Sequence, residues 1–354
     1  MSSRDKEPSH NHDIFGAAHL LEVGVCRGRS NFTLAVDDNC RSVLKTYFVL
    51  SLPPQSSSEA MPGQPVKFST LDGLTLAGVL FSADQRGPGV IITPGFNCVK
   101  EMFVPEVAEE FQKHGITALI YDPRNLGDSE GIPRNDIDPM KQVSDYSDAL
   151  TYMRTLHIVD PERIAFWGQS FAGCIALCAA ALDKRAKLCV SICPLLNFEL
   201  TPEKFPRVLA TGMRDRESQA AGNPPMTIPV LNNQGQNPAG LGLGATTDEL
   251  DYMLNAQSRG APNYKNETTI QSYYKVIEWQ PHGIMKYMDP TPVMMVIPEL
   301  DVMSPPEEQH ALFATFPEPK LAHVAPGKGH LNVLSGEDFP ELAAMQAEFI
   351  KRHT

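Results

Sequence analysis

A serine, an aspartate and a histidine each follow a separate apolar run in this 354-residue chain. Ser170 lies in FWGQSFAGCIA, where the run RIAFWG meets a helical segment of small residues. Asp301 follows the run PVMMVIP, and His330 follows KLAHVAP. A serine hydroxyl is a weak nucleophile unless a general base, usually a histidine oriented by a carboxylate, takes its proton. These residue types therefore predict nucleophilic acyl chemistry.

The residues around Ser170 suit a sharp turn from a strand into a helix. Gly168, Ala172 and Gly173 are small enough to let the turn and the helix approach each other. The positive end of the helix would favour a developing oxyanion beside the serine. The alternative is a serine that only caps the helix. The chain order of serine, acid and histidine, each at the carboxyl end of a predicted strand, favours the nucleophile.

Other side chains compete for the acid and base roles. Glu299 is close to Asp301 but nearer to the strand, where it could instead brace the loop. His323 alternates within the run KLAHVAP, and His310 lies in the helical segment after Asp301, so neither follows a strand end. The sequence therefore favours Asp301 as the acid and His330 as the base.

An acyl-transfer site also needs two hydrogen-bond donors for the oxyanion. The backbone N–H of Phe171, directly after the serine, is one candidate. The loop TPGFNCVKE offers a second, the N–H of Phe96, if Gly95 lets the chain turn back over the sheet. The alternative is a Pro94-Gly95 turn that has no part in the chemistry.

Short apolar runs alternate with helical periodicity over most of the chain, and this alternation predicts βαβ units with a parallel sheet. The apolar runs are 89–94, 117–122, 163–168, 187–193, 292–298 and 320–326. Before them, alternating residues on both sides of Asp72-Gly73 predict a β-hairpin. The fold class is therefore α/β, with a doubly wound, mostly parallel sheet.

This rhythm divides the chain into four predicted segments. Residues 1–62 form an N-terminal extension and linker, and 63–196 form the first part of the α/β core. Residues 197–290 break the rhythm, being rich in Pro, Gly, Asn and Met before turning helical and aromatic, and they are too long for a loop of a compact domain. We interpret them as an inserted cap. Residues 291–354 complete the core.

Aromatic side chains in the predicted cap are candidates for binding a substrate. Tyr273, Tyr274 and Trp279 could line an apolar pocket for a long or polycyclic acyl chain, or they could form the core of the cap itself. The run AGLGLG in the same segment lacks the preceding strand and the spacing of a dinucleotide motif, so no cofactor is expected.

Composition excludes several classes of function. A formal net charge of −12 and the lack of a basic run argue against nucleic-acid binding. The odd number of cysteines, seven, indicates reduced thiols, and the spacing of Cys174 and Cys178 has no accompanying ligand pair for a metal. The sequence has neither a signal-peptide pattern nor a long apolar run, so we expect a cytoplasmic protein that does not span a membrane.

Together the motifs resemble the α/β-hydrolase family over about residues 63–354. The resemblance rests on TPGF, on YDPRNLGDSEG at 121–131, on GQSFAG, on LDVMSPP and on GKGH. Asn125 stands where the family usually has glycine, and Ala172 replaces the second glycine around the serine. The resemblance implies the α/β-hydrolase fold with an inserted cap and a Ser-His-Asp triad.

Within the family, the chain resembles fungal polyketide transferases and thiohydrolases of secondary-metabolite clusters. This resemblance rests on MPGQPVKFSTLDGLTLAGVLF, on GFNCVKEMF with YDPRNLGDSEG, and on YYKVIEW. It implies a small-molecule acyl substrate, held as an ester or as a thioester on a polyketide synthase carrier domain, and released to water or passed to an alcohol. A general carboxylesterase remains an alternative, as does a cyclase or binding module without an acyl-enzyme.

Overall fold

The computed structural model describes residues 62–242, 244 and 247–354. The predicted N-terminal extension, 1–62, lies outside the described residues except for its last residue. The predicted hairpin is confirmed: β1 (Gln64–Ser69) and β2 (Thr75–Phe81) pair antiparallel. Gly73 in the turn between them has a φ of 89°, a conformation that glycine adopts without a steric penalty.

The hairpin continues into a sheet whose remaining strands follow the predicted apolar runs. These strands are β3 (Gly87–Thr93), β4 (Thr117–Tyr121), β5 (Val159–Gln169), β6 (Leu188–Ile192), β9 (Val293–Pro298) and β10 (Lys320–Ala325). The order across the sheet is β1-β2-β4-β3-β5-β6-β9-β10, and from β4 onward neighbouring strands are parallel. The carboxyl ends of β3, β5, β6, β9 and β10 therefore meet at one edge.

Helices cover both faces of this sheet because its central strands are apolar on both sides. In β3, Ile91 packs into one hydrophobic cluster, whereas Val90 and Ile92 pack into the other. The first cluster includes residues of α2 (Pro139–Met153), α3 (Phe171–Leu182) and α8 (Pro306–Thr315), and the second includes residues of α1 (Pro105–Lys113) and α9 (Phe339–His353). The predicted doubly wound α/β fold is thus confirmed.

A long segment separates β6 from β9 and spans the predicted cap. Its elements are α4 (Phe205–Ala220), β7 (Thr227–Ile228), α5 (Thr247–Leu254), β8 (Thr268–Thr269), α6 (Ile270–Glu278) and α7 (Pro281–Met285). The sequence patterns did not predict α4, whose exposed face breaks the apolar periodicity. Within the described ranges, no helix combines the length and apolar character needed to cross a membrane.

Polar contacts fasten the later part of this segment to loops of the core. Asn263 Nδ2 donates to Asp128 at 2.6 Å, and Thr269 Oγ1 donates to Asp136 at 2.7 Å. Asn97, in the loop after β3, donates to the backbone oxygen of Lys265 at 2.7 Å. These contacts hold residues 263–269 against the edge where the parallel strands end.

Candidate active site

Ser170 occupies the turn between β5 and α3 in a conformation that few non-glycine residues adopt. Its φ is 58° and its ψ is −125°. The backbone N–H of Ser170 donates to the oxygen of Ile192 at 2.9 Å, and its backbone oxygen accepts from the N–H of Leu195 at 3.0 Å. The surrounding main chain therefore holds a strained backbone in place, as is typical of functional sites.

The small residues around Ser170 are required by close backbone approach. A β-carbon at Gly168 would lie 2.1 Å from the backbone oxygen of Ala172, and one at Gly173 would lie 2.8 Å from Ser191 Oγ. The side chain of Ser170 makes no capping hydrogen bond to α3. The alternative in which this serine only caps the helix is thus not supported by its contacts.

The structure brings together the three residues predicted to form a triad. His330 Nε2 lies 2.7 Å from Ser170 Oγ, and His330 Nδ1 lies 2.9 Å from each carboxylate oxygen of Asp301. All three side chains are buried. Since an ionised carboxylate only accepts, Nδ1 carries the proton and Nε2 of the neutral ring can accept the serine proton.

Asp301 is held by donors from its own loop and from the following helix. Its Oδ1 accepts from the backbone N–H groups of Met303 and Ser304 at 3.0 and 2.9 Å, and its Oδ2 accepts from Gln309 Nε2 at 3.1 Å. The sequence patterns did not identify Gln309, whose position eight residues after the aspartate in a helical segment was the available signal. These bonds fix the carboxylate that orients His330.

Glu299, the alternative candidate for the catalytic acid, has contacts that indicate a different role. Its Oε2 accepts from the backbone N–H of Gly327 at 2.7 Å, and the residue is exposed. It therefore links the loop after β9 to the loop after β10, and these are the loops that carry Asp301 and His330. This contact matches the alternative in which Glu299 braces the loop.

The electrostatic surroundings of His330 favour its protonated form. Burial lowers the pKa of the imidazole, but Cys193 and Asp301 raise it by more, so that the pKa is raised to about 10. Cys193 lies just after β6, where its Sγ donates to the backbone oxygen of His330 at 3.4 Å. The environment is therefore suited to stabilise the imidazolium that forms when His330 takes a proton.

Among the described residues, Cys193, Asp301 and His330 also form a cluster whose side-chain types could bind a metal ion. One ligand atom from each lies within 4.8 Å of the other two. The imidazole and carboxylate atoms already hydrogen bond to each other and to Ser170, and the thiol donates to a backbone oxygen. These groups are thus satisfied as a proton-transfer chain, with no need of an ion to pair them.

The loop after β3 lies directly against the serine. A β-carbon at Gly95 would be 3.3 Å from Ser170 Cβ and 3.7 Å from its Oγ. Among the described loops and turns, the backbone N–H groups of Phe96 and Phe171 form no hydrogen bond to another backbone group. Both N–H groups therefore stay candidates for the oxyanion hole that the chemistry requires.

A buried lysine, which the sequence patterns did not identify, ties this loop to the loop after β4. Lys100 Nζ contacts Asp122 at 2.9 Å and both Glu101 and Asp128 at 2.7 Å, and the Lys100 N–H donates to Asp122. Burial raises the pKa of Asp122 to about 6, although Lys100 opposes this shift. The cluster fixes the segment that carries Phe96.

A cavity lined mainly by apolar residues opens beside Ser170. The apolar part of its wall comes from the core loops and from the inserted segment, and includes Phe96, Phe103, Val230, Leu231, Met253 and Met303. Gln169 and Ser170 are the polar residues that border the same cavity. The site therefore combines a nucleophile with a mainly apolar chamber, which suits an acyl chain.

The prediction that Tyr273, Tyr274 and Trp279 line the substrate pocket stays a prediction, but none of the three borders the cavity beside Ser170. The side chain of Tyr273 is fully buried and its hydroxyl accepts from Asn237 at 2.7 Å. Trp279 packs against Phe171, with ring centroids 5.7 Å apart, and half-buried Tyr274 is also absent from the described wall. Tyr273 and Trp279 thus belong to the hydrophobic core.

Comparisons with known proteins agree with this geometry. The model of the alpha/beta hydrolase fold family matches residues 88–337. A thiohydrolase from Eupenicillium brefeldianum is 63% identical over 293 residues, covering 83% of this chain and 95% of that protein. The polyketide transferase ATR5 from Stachybotrys chlorohalonatus is 46% identical over 295 residues, covering 82% of this chain and 98% of that protein.

A solved structure is similar over the same part of the chain. The crystal structure of the alpha/beta hydrolase GrgF from Penicillium sp. sh18 has a TM-score of 0.75 at 42% identity, and the similarity covers 82% of this chain and 99% of that chain. Fold, motifs and sequence similarity lead to the same result. The chain belongs to the α/β-hydrolase family.

Proposed function

We propose that this chain is a serine-dependent acyltransferase or thiohydrolase that acts on a polyketide-type thioester or ester. The observation that carries the proposal is the hydrogen-bonded series from Ser170 Oγ through His330 to Asp301, at 2.7 and 2.9 Å, beside an apolar cavity. The relatives named as a thiohydrolase and as a polyketide transferase support the substrate class.

In the acylation half of the reaction, Ser170 Oγ attacks the thioester carbonyl carbon while His330 Nε2 takes the serine proton. The carbonyl π electrons move onto oxygen, and the N–H groups of Phe96 and Phe171 stabilise the resulting oxyanion. When the carbonyl re-forms, the carbon–sulfur bond breaks and the leaving thiolate takes the proton from His330. The product is an ester between the acyl group and Ser170.

The second half of the reaction resolves this ester. His330 takes a proton from water or from an alcohol, whose oxygen attacks the acyl carbon through a second oxyanion. The bond to Ser170 Oγ then breaks, and His330 returns the proton to the serine. With water the product is a carboxylic acid, and with an alcohol it is a new ester.

We further propose that the acyl group arrives on the phosphopantetheine arm of a polyketide synthase carrier domain. The cavity suits this substrate because its wall is mainly apolar and lies directly beside the nucleophile. The leaving thiol would depart toward solvent while the acyl chain stays in the chamber. In this proposal the apolar wall selects the acyl chain, and the triad cleaves the thioester bond.

The test is detection of the acyl-enzyme by intact-protein mass spectrometry with an N-acetylcysteamine thioester of a polyketide-type acid. We expect the mass of one acyl group to be added to the full chain and to be absent from Ser170→Ala. Ser191→Ala is the matched control, because Ser191 Oγ is also buried, on the neighbouring strand, and has no hydrogen-bond partner among the residues that the structure describes. Equal labelling of Ser170→Ala would refute the nucleophile.

A general carboxylesterase predicts a different outcome. Such an enzyme would hydrolyse a p-nitrophenyl ester faster than a carrier-bound polyketide thioester, because its activity would not depend on the acyl chain. We expect the opposite preference. An acyl-enzyme that forms from both substrates at the same rate would contradict the proposed substrate class while leaving the triad intact.

A further inference from the structure

Gln169 is the last residue of β5 and stands directly before Ser170. It pairs with Ile192 in the sheet, the residue is only 2% exposed, and it borders the cavity together with Ser170. A glutamine is rarely buried in an apolar site unless its amide is hydrogen-bonded. Its partners therefore need an explanation.

The amide oxygen of Gln169 has no donor within the described residues. Gln346 shows the usual arrangement for a buried glutamine: its Oε1 accepts from Trp167 at 2.8 Å, and its Nε2 donates to the backbone oxygen of Leu342 at 3.2 Å. Because the two ends of an amide can exchange places by a 180° turn, Gln169 can present either a donor or an acceptor to the cavity.

The rest of the described wall offers a substrate few other polar partners. Apart from Ser170, its side chains are apolar or, for Cys98, a neutral thiol whose pKa is raised by burial. A polar substituent on an acyl chain would lose its hydration in this chamber and would be bound poorly without a partner. Gln169 is the bordering residue whose amide could supply a hydrogen bond in place of the lost water.

We propose that Gln169 is a specificity-determining residue that hydrogen bonds to an oxygen on the β-carbon of the acyl chain. Gln169 borders the same cavity as Ser170, so we place its amide beside the acyl carbons that follow the reacting carbonyl. Polyketide-type chains carry hydroxyl or keto oxygens at alternate carbons, of which the β-carbon is the first. This inference rests on the proposed function, and it narrows the substrate to β-oxygenated acyl groups.

The experiment compares two N-acetylcysteamine thioesters of equal chain length, a 3-hydroxyacyl compound and its 3-deoxy analogue. We expect the wild-type kcat/KM to favour the 3-hydroxyacyl compound by about tenfold or more. Gln169→Met keeps the length of the side chain but removes the amide. It should lose about tenfold on the 3-hydroxyacyl compound and change by less than about twofold on the deoxy compound.

A purely structural role of Gln169 predicts equal losses on both substrates, and that result would overturn the inference. Leu231→Met is the matched control, because it alters the same wall without changing an amide, and it should affect both substrates alike. If Gln169→Met fails to fold, the ratio of the wild-type kcat/KM values for the two compounds decides by itself. Equal values would also overturn the inference.

A binding measurement separates this inference from the proposed function. Dissociation constants of the corresponding free 3-hydroxy and 3-deoxy acids are measured on full-length Ser170→Ala, which needs no turnover. Tighter binding of the hydroxy acid, lost in Ser170→Ala/Gln169→Met, supports the role of Gln169 even if no thioester is cleaved. Equal binding overturns it even if the acyl-enzyme forms.

Discussion

Gln309 Nε2 donates a 3.1 Å hydrogen bond to Asp301 Oδ2 and a 2.6 Å hydrogen bond to the backbone oxygen of Ser304. It therefore clamps the acid to its own loop from the start of α8. We expect Gln309→Leu to lower kcat about tenfold with little change in KM, since the acid would orient His330 less well. Steady-state kinetics with a short thioester measure this effect, and a change in KM alone would contradict it.

The raised pKa of His330 has a consequence for the pH dependence of activity. Only the neutral imidazole can accept the serine proton, so kcat/KM should increase with pH above the ordinary histidine pKa of 6.5. The same shift contributes stability below the unfolded-state pKa, and this contribution is lost as pH rises through the folded-state pKa. A profile of kcat/KM that is flat from about pH 6 upward would contradict the first expectation.

Asp301→Asn removes one of the two groups that raise this pKa. The acid limb of the kcat/KM profile should therefore move to lower pH, while kcat falls by about a thousandfold or more because the ring loses its orienting carboxylate. Profiles of the variant and the wild type are compared on the same thioester. An unchanged acid limb would show that Asp301 does not contribute to the pKa of His330.

Gly95→Ala tests the placement of the oxyanion loop. The added β-carbon would lie 3.3 Å from Ser170 Cβ, so the loop or the serine must move by a few tenths of an ångström. Because the oxyanion donors act over short distances, we expect kcat to fall by about ten- to a hundredfold. Gly283→Ala, whose added β-carbon would meet no atom within 4 Å, is the control and should be neutral.

Lys100→Met should strongly destabilise the protein. It leaves the fully buried side chain of Asp122 without its cation, and breaking such a pair typically costs about 3–5 kcal/mol. The pKa of Asp122 is already raised by burial and would rise further, so the destabilisation should shrink as pH falls and the carboxyl is protonated. Urea unfolding at about pH 5 and about pH 8 measures both effects, and an equal loss at the two values would contradict this reasoning.

The packing of Trp279 in the core, away from the described cavity wall, predicts a contrast between two variants. Trp279→Phe should leave KM nearly unchanged and lower stability by about 1–2 kcal/mol, because the indole packs against Phe171 and Phe198 and its N–H has no partner among the described residues. Leu231→Trp should raise KM for long acyl chains by narrowing the cavity. A raised KM in Trp279→Phe together with an unchanged KM in Leu231→Trp would instead indicate that Trp279 contacts the substrate.

The sequence predicted the strands and the triad well because both follow from local patterns. Apolar runs fix the strands, and residues after parallel strands must meet at one edge, so Ser170, Asp301 and His330 could be placed together. Gln309 and Lys100 could not be identified, because their roles depend on how a helix and a loop pack in three dimensions.

The pocket wall was the least predictable part of the site. Tyr273 and Trp279 are residue types that are common in acyl pockets. The apolar face of α6, however, buries Tyr273 in the core. The smaller aliphatic residues Val230 and Leu231 line the cavity instead. A long insertion can follow many paths over a sheet, and aromatic content alone does not distinguish them.

The main chain around Ser170 is anchored on both sides, by Ile192 and by Leu195, independently of the serine hydroxyl. The backbone that carries the nucleophile is therefore fixed by main-chain hydrogen bonds that do not depend on the side chain. A thiol at this position would have the same neighbour, His330, as the serine hydroxyl. Because these backbone contacts do not involve the side chain, we expect Ser170→Cys to keep the turn that presents the nucleophile.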